Sequence, residues 1–229
     1  MSGTGSGVAA AQGRVREVID RLLRERTVAA QTDGTVHQIF PVAAGPAEGV
    51  ALRDWVAREG ATRTIEIGLG YGFSALHIGE GLLSNPDPDR RHTVIDPFQA
   101  TRFAGCGLQL LAEAGLADMV DHLAQRSEIA LPRLLEAGRS FDLAFIDGNH
   151  RFDGVFLDLI YLGRLVRAGG IIVLDDYQLP AIRRAVAFCL TNLGWALEEV
   201  GSADERRRWA AIRTAATPDT RQYDYFIEF

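Results

Sequence analysis

The stretch Thr64-Ile65-Glu66-Ile67-Gly68-Leu69-Gly70-Tyr71-Gly72-Phe73-Ser74-Ala75-Leu76 narrows the possible folds of this chain more than any other. A short apolar run breaks into three glycines at alternate positions and then resumes with helical periodicity. That is the pattern of a strand, a tight turn and a helix start. Gly68, Gly70 and Gly72 let the backbone take positive φ and let a ligand approach the main chain closely. A helix beginning near Phe73 points its free N–H groups into the turn. The unit needs a sheet around it, and the rest of the chain supplies one.

After this first strand, the pattern places strands at His92–Ile95, Val120–Leu123, Phe141–Ile146 and Ile171–Leu174. Further strands are expected near Trp195–Val200 and Trp209–Thr214. Helices are expected between them, over about 108–114, 152–166 (ended by Gly169-Gly170) and 181–192. Continuous apolar strands such as Ile171-Ile172-Val173-Leu174 are buried on both faces, as parallel sheets require. With 229 residues and 47% hydrophobic content, the chain suits one α/β domain with a sizeable core. The fold expected is a Rossmann-like, doubly wound, mostly parallel seven-stranded sheet with helices on both faces. That domain spans 61–229. A helical cap precedes it over 14–60, with an apolar stripe at Val15, Val18, Ile19, Leu22 and Leu23, a loop at 31–46, and a second helix from Pro46 to Glu59. Residues 1–13 read as a disordered leader. The aromatic end Tyr223-Asp224-Tyr225-Phe226-Ile227-Glu228-Phe229 reads as strand-like, and should pack on the body or on a second subunit.

Composition excludes several functions. The net charge of −6 argues against an extended nucleic-acid surface, and Arg206-Arg207-Arg208 reads as a short solvated turn. No apolar run reaches the ~18 residues of a membrane span, and the N-terminus has no signal-peptide pattern. Cys106 and Cys189 form no disulfide framework or metal spacing, so a cytoplasmic protein is expected. Every basic residue apart from His is Arg, which removes Schiff-base and P-loop lysine chemistry.

Acids mark the strand ends. Asp96 follows the second strand, beside the glycine turn, where it can bind ribose hydroxyls; the plainer reading is a turn residue before Pro97. Asp147 ends the Phe141–Ile146 strand, and Asp175 and Asp176 end Ile171–Leu174. One helix joins these two strands, so they are parallel and adjacent, and the three carboxylates converge. Two such charges ~4 Å apart repel by about 4 kcal/mol at an effective dielectric near 20. Protonation, an arginine or a bound cation must offset that, and an all-oxygen set suits Mg²⁺, Mn²⁺ or Ca²⁺.

The pattern Gly68-x-Gly70-x-Gly72, preceded by Glu66, resembles motif I of the class I S-adenosylmethionine (SAM) methyltransferases. The dinucleotide fingerprint would instead need a small residue where Phe73 stands. The run from Glu48 to Asp175-Asp176-Tyr177 resembles methyltransferase family 24, over roughly residues 45–215. The resemblance implies SAM as cofactor. Glu66, Gly68, Gly70, Gly72, Asp96 and Asp147 would hold it, Ser127 and Glu128 would contact its adenine, and Glu48 its amino acid end. Ser127 also reads as a helix N-cap with an acid in the first turn. The aspartates resemble those of divalent-metal-dependent small-molecule O-methyltransferases, which implies Mg²⁺ on Asp147, Asp175 and Asp176. There a base sits three residues past the first Asp, here His150, which can accept a hydroxyl proton near neutral pH. Alone, His150 would read as a loop histidine. Arg151, Tyr177 and Gln178 are neighbouring candidates for substrate contact.

The activity expected is methyl transfer from SAM to a hydroxyl of a small molecule, by a homodimer that binds no nucleic acid or membrane. The alternatives are a metal-independent N- or O-methyltransferase, a nicotinamide-dependent dehydrogenase and a SAM-binding protein without turnover. Acceptor choice would reside in 31–46, 98–106 and the tail, none of which carries a readable code.

Overall fold

A computed structural model describes residues 3–204, 207–217 and 219–229. Helix α1 (Gly3–Glu25) leads to a two-stranded hairpin, β1 (Thr27–Ala29) and β2 (Val36–Gln38), and then α2 (Pro46–Arg58). The main body follows as β3 (Arg63–Ile67), α3 (Phe73–Leu83), β4 (Arg91–Ile95), α4 (Cys106–Glu113), β5 (Val120–Leu123), α5 (Ser127–Glu136), β6 (Phe141–Ile146), α6 (Phe152–Leu165), β7 (Val166–Leu174), α7 (Pro180–Asn192), β8 (Ala196–Asp204) and β9 (Arg207–Arg213).

Strands β3 to β9 form the seven-stranded sheet that the pattern predicts, in the order β5-β4-β3-β6-β7-β9-β8. Strands β3 to β7 pair in parallel, and β9 lies antiparallel to both β7 and β8. The sequence order reverses between β3 and β6, where an open α/β sheet leaves a crevice at the strands' carboxyl ends.

Two apolar layers cover the sheet, and strand alternation assigns residues to them. Leu143, Phe145, Ile171 and Val173 face a core shared with α1, α2, α3 and α4. Ile65, Ile67, Ala144, Ile146, Ile172 and Leu174 face the layer made with α5, α6 and α7. Phe145 and Leu143 are fully buried, and burying such a side chain contributes about 2 kcal/mol.

Four elements depart from the sequence pattern. Helix α1 begins at Gly3 rather than near residue 14, so the leader is helical across its described residues. Ala9, Ala10 and Ala11 favour helix, and Gln12 Nε2 donates to Ser84 Oγ at 3.0 Å, anchoring this turn on α3. Strand β2 stands within the loop expected at 31–46, and β1 occupies the end of the stretch 14–30 read as helical; these three-residue strands are too short for a periodic signal. Gly169-Gly170 does not end α6. Strand β7 starts at Val166 and contains both glycines, and a Cβ on Gly170 would lie 2.8 Å from the Asp142 carbonyl oxygen. The tail packs on the body without forming a strand: Asn192 Nδ2 donates to the Ile227 carbonyl and its Oδ1 accepts the Ile227 N–H, both at 2.8 Å. Of the arginine run, Arg207 and Arg208 lie in β9 and Arg206 falls outside the described residues. No described helix is long and apolar enough to cross a membrane.

Candidate functional site

A cavity of about 760 Å³ opens at the carboxyl ends of β3, β4 and β6. Gly68, Gly70, Asp96, Ser127, Glu128, Asp147 and His150 are among its lining residues. The turn between β3 and α3 forms its floor. Gly68, Gly70 and Gly72 have φ of +95°, +53° and +79°, a region that side-chain-bearing residues avoid. A Cβ on Gly68 would fall 2.1 Å from the Asp147 carbonyl oxygen. The absence of side chains there is what lets the two loops meet.

Asp96 is a turn residue that also lines the cavity. Its Oδ1 accepts the Phe98 N–H at 2.7 Å, and its Oδ2 accepts the Gly70 N–H and Gln99 Nε2, each at 2.9 Å. It therefore braces the glycine turn while lining the cavity. An ionised carboxylate has about four acceptor positions, so capacity for a ribose hydroxyl remains.

Glu66 lies elsewhere. Its carboxylate is fully buried behind the turn, where it accepts the Ser74 hydroxyl and pairs with His92 Nε2 at 2.9 Å. His92 Nδ1 meets Thr64 Oγ1 at 2.9 Å. Strand alternation explains this: Ile65 and Ile67 face one layer, so Glu66 faces the other, against α3. The structure thus gives it a bracing role and keeps it out of the cavity wall. Ser127 and Glu128 do line the cavity, at the start of α5. The N-cap position belongs to Arg126, which makes no side-chain cap, so Ser127 is the first helical residue rather than the cap.

The acids after β6 and β7 converge as the parallel register requires, with Ile146 opposite Leu174. His150 stands between two of them. Its Nε2 lies 3.2 Å from Asp176 Oδ2 and 3.5 Å from Asp147 Oδ1. The Asp147 hydrogen bond raises the imidazole pKa above its usual value, against the opposing effect of burial. Asp147 itself is pushed up to about 7, first by burial, with His150 drawing it back and Asp175 adding repulsion. Asp176 sits at φ +53°, held by its N–H donating to Asp175 Oδ1 at 2.6 Å and its Oδ1 accepting Gln178 Nε2 at 2.5 Å.

Asp175 does not line the cavity. It is buried, with Oδ2 4.0 Å from Arg207 Nη2, and it faces Glu48 of α2. Glu48, also buried, is pushed up to about 10 by burial and by the neighbouring Asp175 and Asp147 charges. Burial favours its neutral form, and it does not line the cavity. Burial, a proton, an arginine and an imidazole thus offset the repulsion among the acids. Among the described residues no group of three or more His, Cys, Asp or Glu is arranged to hold a metal ion. The donor chemistry itself fits a hard cation: the carboxylates outnumber their basic partners, and among the described residues Asp175 Oδ2 is a buried acceptor without a hydrogen-bond partner.

Arg151 lines the cavity, whereas Gln178 supports Asp176 and also accepts the Arg208 N–H at 2.8 Å. Tyr177 ties its N–H to the Arg208 carbonyl. Pattern reading missed Tyr71 and Asp158 in the cavity wall, whereas Arg102 and Phe103 there belong to the segment 98–106 singled out for acceptor choice. The Tyr71 and Phe103 rings meet edge to face at 5.1 Å.

The fold is a doubly wound α/β sheet with its cavity at the point where the strand order reverses. Residues 65–177 match the family described as a methyltransferase domain. A search of the curated proteins gives no match. Solved structures share the fold over most of their length. The O-methyltransferase TomG from Streptomyces achromogenes, involved in tomaymycin synthesis and solved with SAM, is 23% identical; 87% of this chain and 90% of that one are covered, with a TM-score of 0.68. An O-methyltransferase from Bacillus cereus in complex with SAH is 19% identical, with 86% and 91% covered and a TM-score of 0.67. Cofactor-bound Rv0187 from MTB is 22% identical, with 91% of each chain covered and a TM-score of 0.67. The family match over 65–177 and the three solved structures agree on a methyltransferase-like fold for this chain.

Proposed function

We propose that this enzyme transfers the methyl group of SAM to a hydroxyl of a small molecule, with His150 as general base. The observation that carries the reading is His150 Nε2 between Asp147 and Asp176, in the wall of the cavity whose floor is the glycine turn. The methyl carbon of the sulfonium is already electrophilic. The protein's task is to align the acceptor oxygen with the S–CH₃ axis and remove its proton. The glycine turn and Asp96 would seat the methionine and ribose parts, with Ser127 and Glu128 at the base. Neutral His150 would take the hydroxyl proton, and Asp147 and Asp176 would stabilise the imidazolium formed.

A divalent cation, Mg²⁺ by donor type, is part of the proposal. Asp147, Asp175 and Asp176 would hold it, and when bound it lowers the acceptor hydroxyl's pKa. The surplus of carboxylates supports this. The second reading, a metal-independent N- or O-methyltransferase, is favoured by Asp175 lying buried against Glu48 and Arg207. A homodimer and a cytoplasmic location complete the proposal, supported by the exposed tail residues Tyr223 and Phe226 and by the two free cysteines.

The test is transfer of labelled methyl from SAM to a panel of phenols, vicinal diols and amines, run with Mg²⁺ and with EDTA. Labelled ether formed only with Mg²⁺ supports the first reading. Equal turnover in EDTA selects the second. Binding of S-adenosylhomocysteine without transfer to any acceptor would count against both. Sedimentation velocity tests the dimer.

A further inference from the structure

Arginines 102, 126 and 151 line the cavity, and two of them have an acid close by. Arg126 Nη1 lies 3.8 Å from Glu128 Oε1, and Arg151 Nε lies 3.3 Å from Asp153 Oδ1. Arg102 differs. Among the described residues its guanidinium has no hydrogen-bond or ion-pair partner, and it stacks over the Phe103 ring at 5.4 Å. Phe103 is buried, and Tyr71 meets it edge to face. The Arg102 and Phe103 N–H groups both donate to the Phe98 carbonyl, at 2.8 and 3.2 Å. The turn and the ring beneath it thus hold an exposed cation that lacks a counter-charge. The same wall carries Val42, Phe98 and Leu157, which are 45%, 44% and 37% exposed. They come from three separate segments, so a ligand in the cavity meets apolar surface from several sides.

We propose that Arg102 selects the acceptor: an aromatic hydroxy acid whose carboxylate pairs with the guanidinium while its hydroxyl lies at His150. The inference rests on the methyl-transfer reading and names its substrate class. Strand register sets the span. Ile95 and Ile146 both lie opposite Ile67, so the strand ends leading to Arg102 and His150 are two strand spacings apart, about 10 Å. One substituted ring and the long arginine side chain together can bridge that. The guanidinium presents a planar fork that matches a carboxylate, and its stacking on Phe103 reduces the freedom lost when the pair forms. Val42, Phe98 and Leu157 would take the ring. The wall acids Asp96, Glu128, Asp147 and Asp153 each have a donor or cation of their own, which lessens their repulsion of an anionic ligand. A neutral ester of the same acid would leave Arg102 without its partner.

The experiment is calorimetric titration of the wild type, Arg102→Met and Arg102→Lys at neutral pH and low salt, with thermal unfolding recorded alongside. S-Adenosylhomocysteine and 5′-methylthioadenosine are titrated first. The protein saturated with S-adenosylhomocysteine then receives 3,4-dihydroxybenzoate, 4-hydroxyphenylacetate and the methyl ester of each. The wild type should bind at least one acid about 10-fold more tightly than its ester, and added salt should shrink that preference. Arg102→Met should abolish the preference and leave the ester and S-adenosylhomocysteine affinities unchanged, whereas lysine should keep part of it. Three results overturn the proposal: neither acid binds, the wild type binds acid and ester alike, or the preference survives Arg102→Met. A variant weakened toward S-adenosylhomocysteine but not toward 5′-methylthioadenosine, which lacks the amino acid end, would assign Arg102 to the cofactor and also overturns it. Should Arg102→Met fail to fold, an undiminished preference in Arg102→Lys overturns it. If S-adenosylhomocysteine does not bind the wild type, the methyl-transfer reading itself fails and takes this inference with it.

Discussion

Replacing Gly68 with alanine tests the idea that the site depends on two loops touching through a bare backbone. The added Cβ would stand 2.1 Å from the Asp147 carbonyl oxygen and 2.7 Å from its carbon. Ordinary carbon contacts begin near about 3.5 Å, so the loops after β3 and β6 must part by roughly 1 Å. Neither can yield alone. The Asp147 N–H donates to Ile67 at 2.9 Å, and the Gly68 N–H donates to Ile95 at 2.9 Å. Alanine at φ +95° costs about 1–2 kcal/mol, the overpacking about 1–3, and a weakened junction hydrogen bond about 1. A loss of about 4 kcal/mol is a large share of the ~5–15 kcal/mol that keeps a domain folded. At roughly 2–4 °C per kcal/mol for a chain of this size, the melting temperature should fall by about 8–16 °C. S-Adenosylhomocysteine binding should weaken as well, because Asp147 and the turn shift together. Gly60→Ala is the control: its φ is +56° with nothing within 4 Å of the added atom, so it should cost only about 1 kcal/mol. Scanning fluorimetry and calorimetric titration read both. A Gly68→Ala protein that melts within roughly 2 °C of wild type and binds the ligand as tightly would refute the reasoning.

His150→Ala should lower kcat by about 10²–10⁴-fold with little change in S-adenosylhomocysteine affinity. Because Asp147 raises the His150 pKa, the acid limb of the kcat profile in EDTA should lie above the ordinary value near 6.5, and a limb below it would contradict the pairing. His77 is buried and held down to about 4, chiefly by desolvation and secondarily by Arg53. The unfolded chain therefore takes up its proton first, and this contribution to stability, about 3 kcal/mol, is complete above about pH 6.5 and lost as pH falls toward about 4. Urea midpoints across that range should drop less for His77→Leu than for wild type. Glu66→Ala should destabilise by about 3 kcal/mol through the orphaned His92 and Ser74, while Glu66→Gln should leave ligand affinity unchanged. A selective loss of affinity in Glu66→Gln, without a change in melting temperature, would place the side chain against the cofactor.

What could be read from the amino acids was local in origin. The β3–turn–α3 unit announces itself because three glycines interrupt two different periods within a few residues, and the apolar runs at 141–146 and 171–174 admit little but buried parallel strands. Asp147 and Asp175 at their ends follow from the same register. The errors arise where a distant element decides. Glu66 sits on a strand buried on both faces, so its facing depends on Ser74 and His92. Asp175 at its strand end gives no sign in the sequence that Glu48, far upstream on α2, faces it. Asp158 was invisible because a single acid in a helix reads as a solvated residue, and only the packing of α6 on α5 buries it. The early start of α1 is held by Gln12 Nε2, which donates to Ser84 Oγ and to the Glu80 carbonyl, contacts that no local pattern records.

The strand order carries a consequence for synthesis on the ribosome. Strand β7, which leads into Asp175 and Asp176, is hydrogen-bonded on one side to β6 and on the other to β9, where Leu174 lies opposite Ala210. A nascent chain that has emerged through α7 possesses the glycine turn, Asp96 and His150, but β7 still presents a bare edge. That edge closes only when Arg207–Arg213 has left the exit tunnel and slipped in between β7 and β8. Until then it offers unpaired amides to any other extended segment nearby, so a product truncated before residue 207 should be found in aggregates rather than as a smaller enzyme.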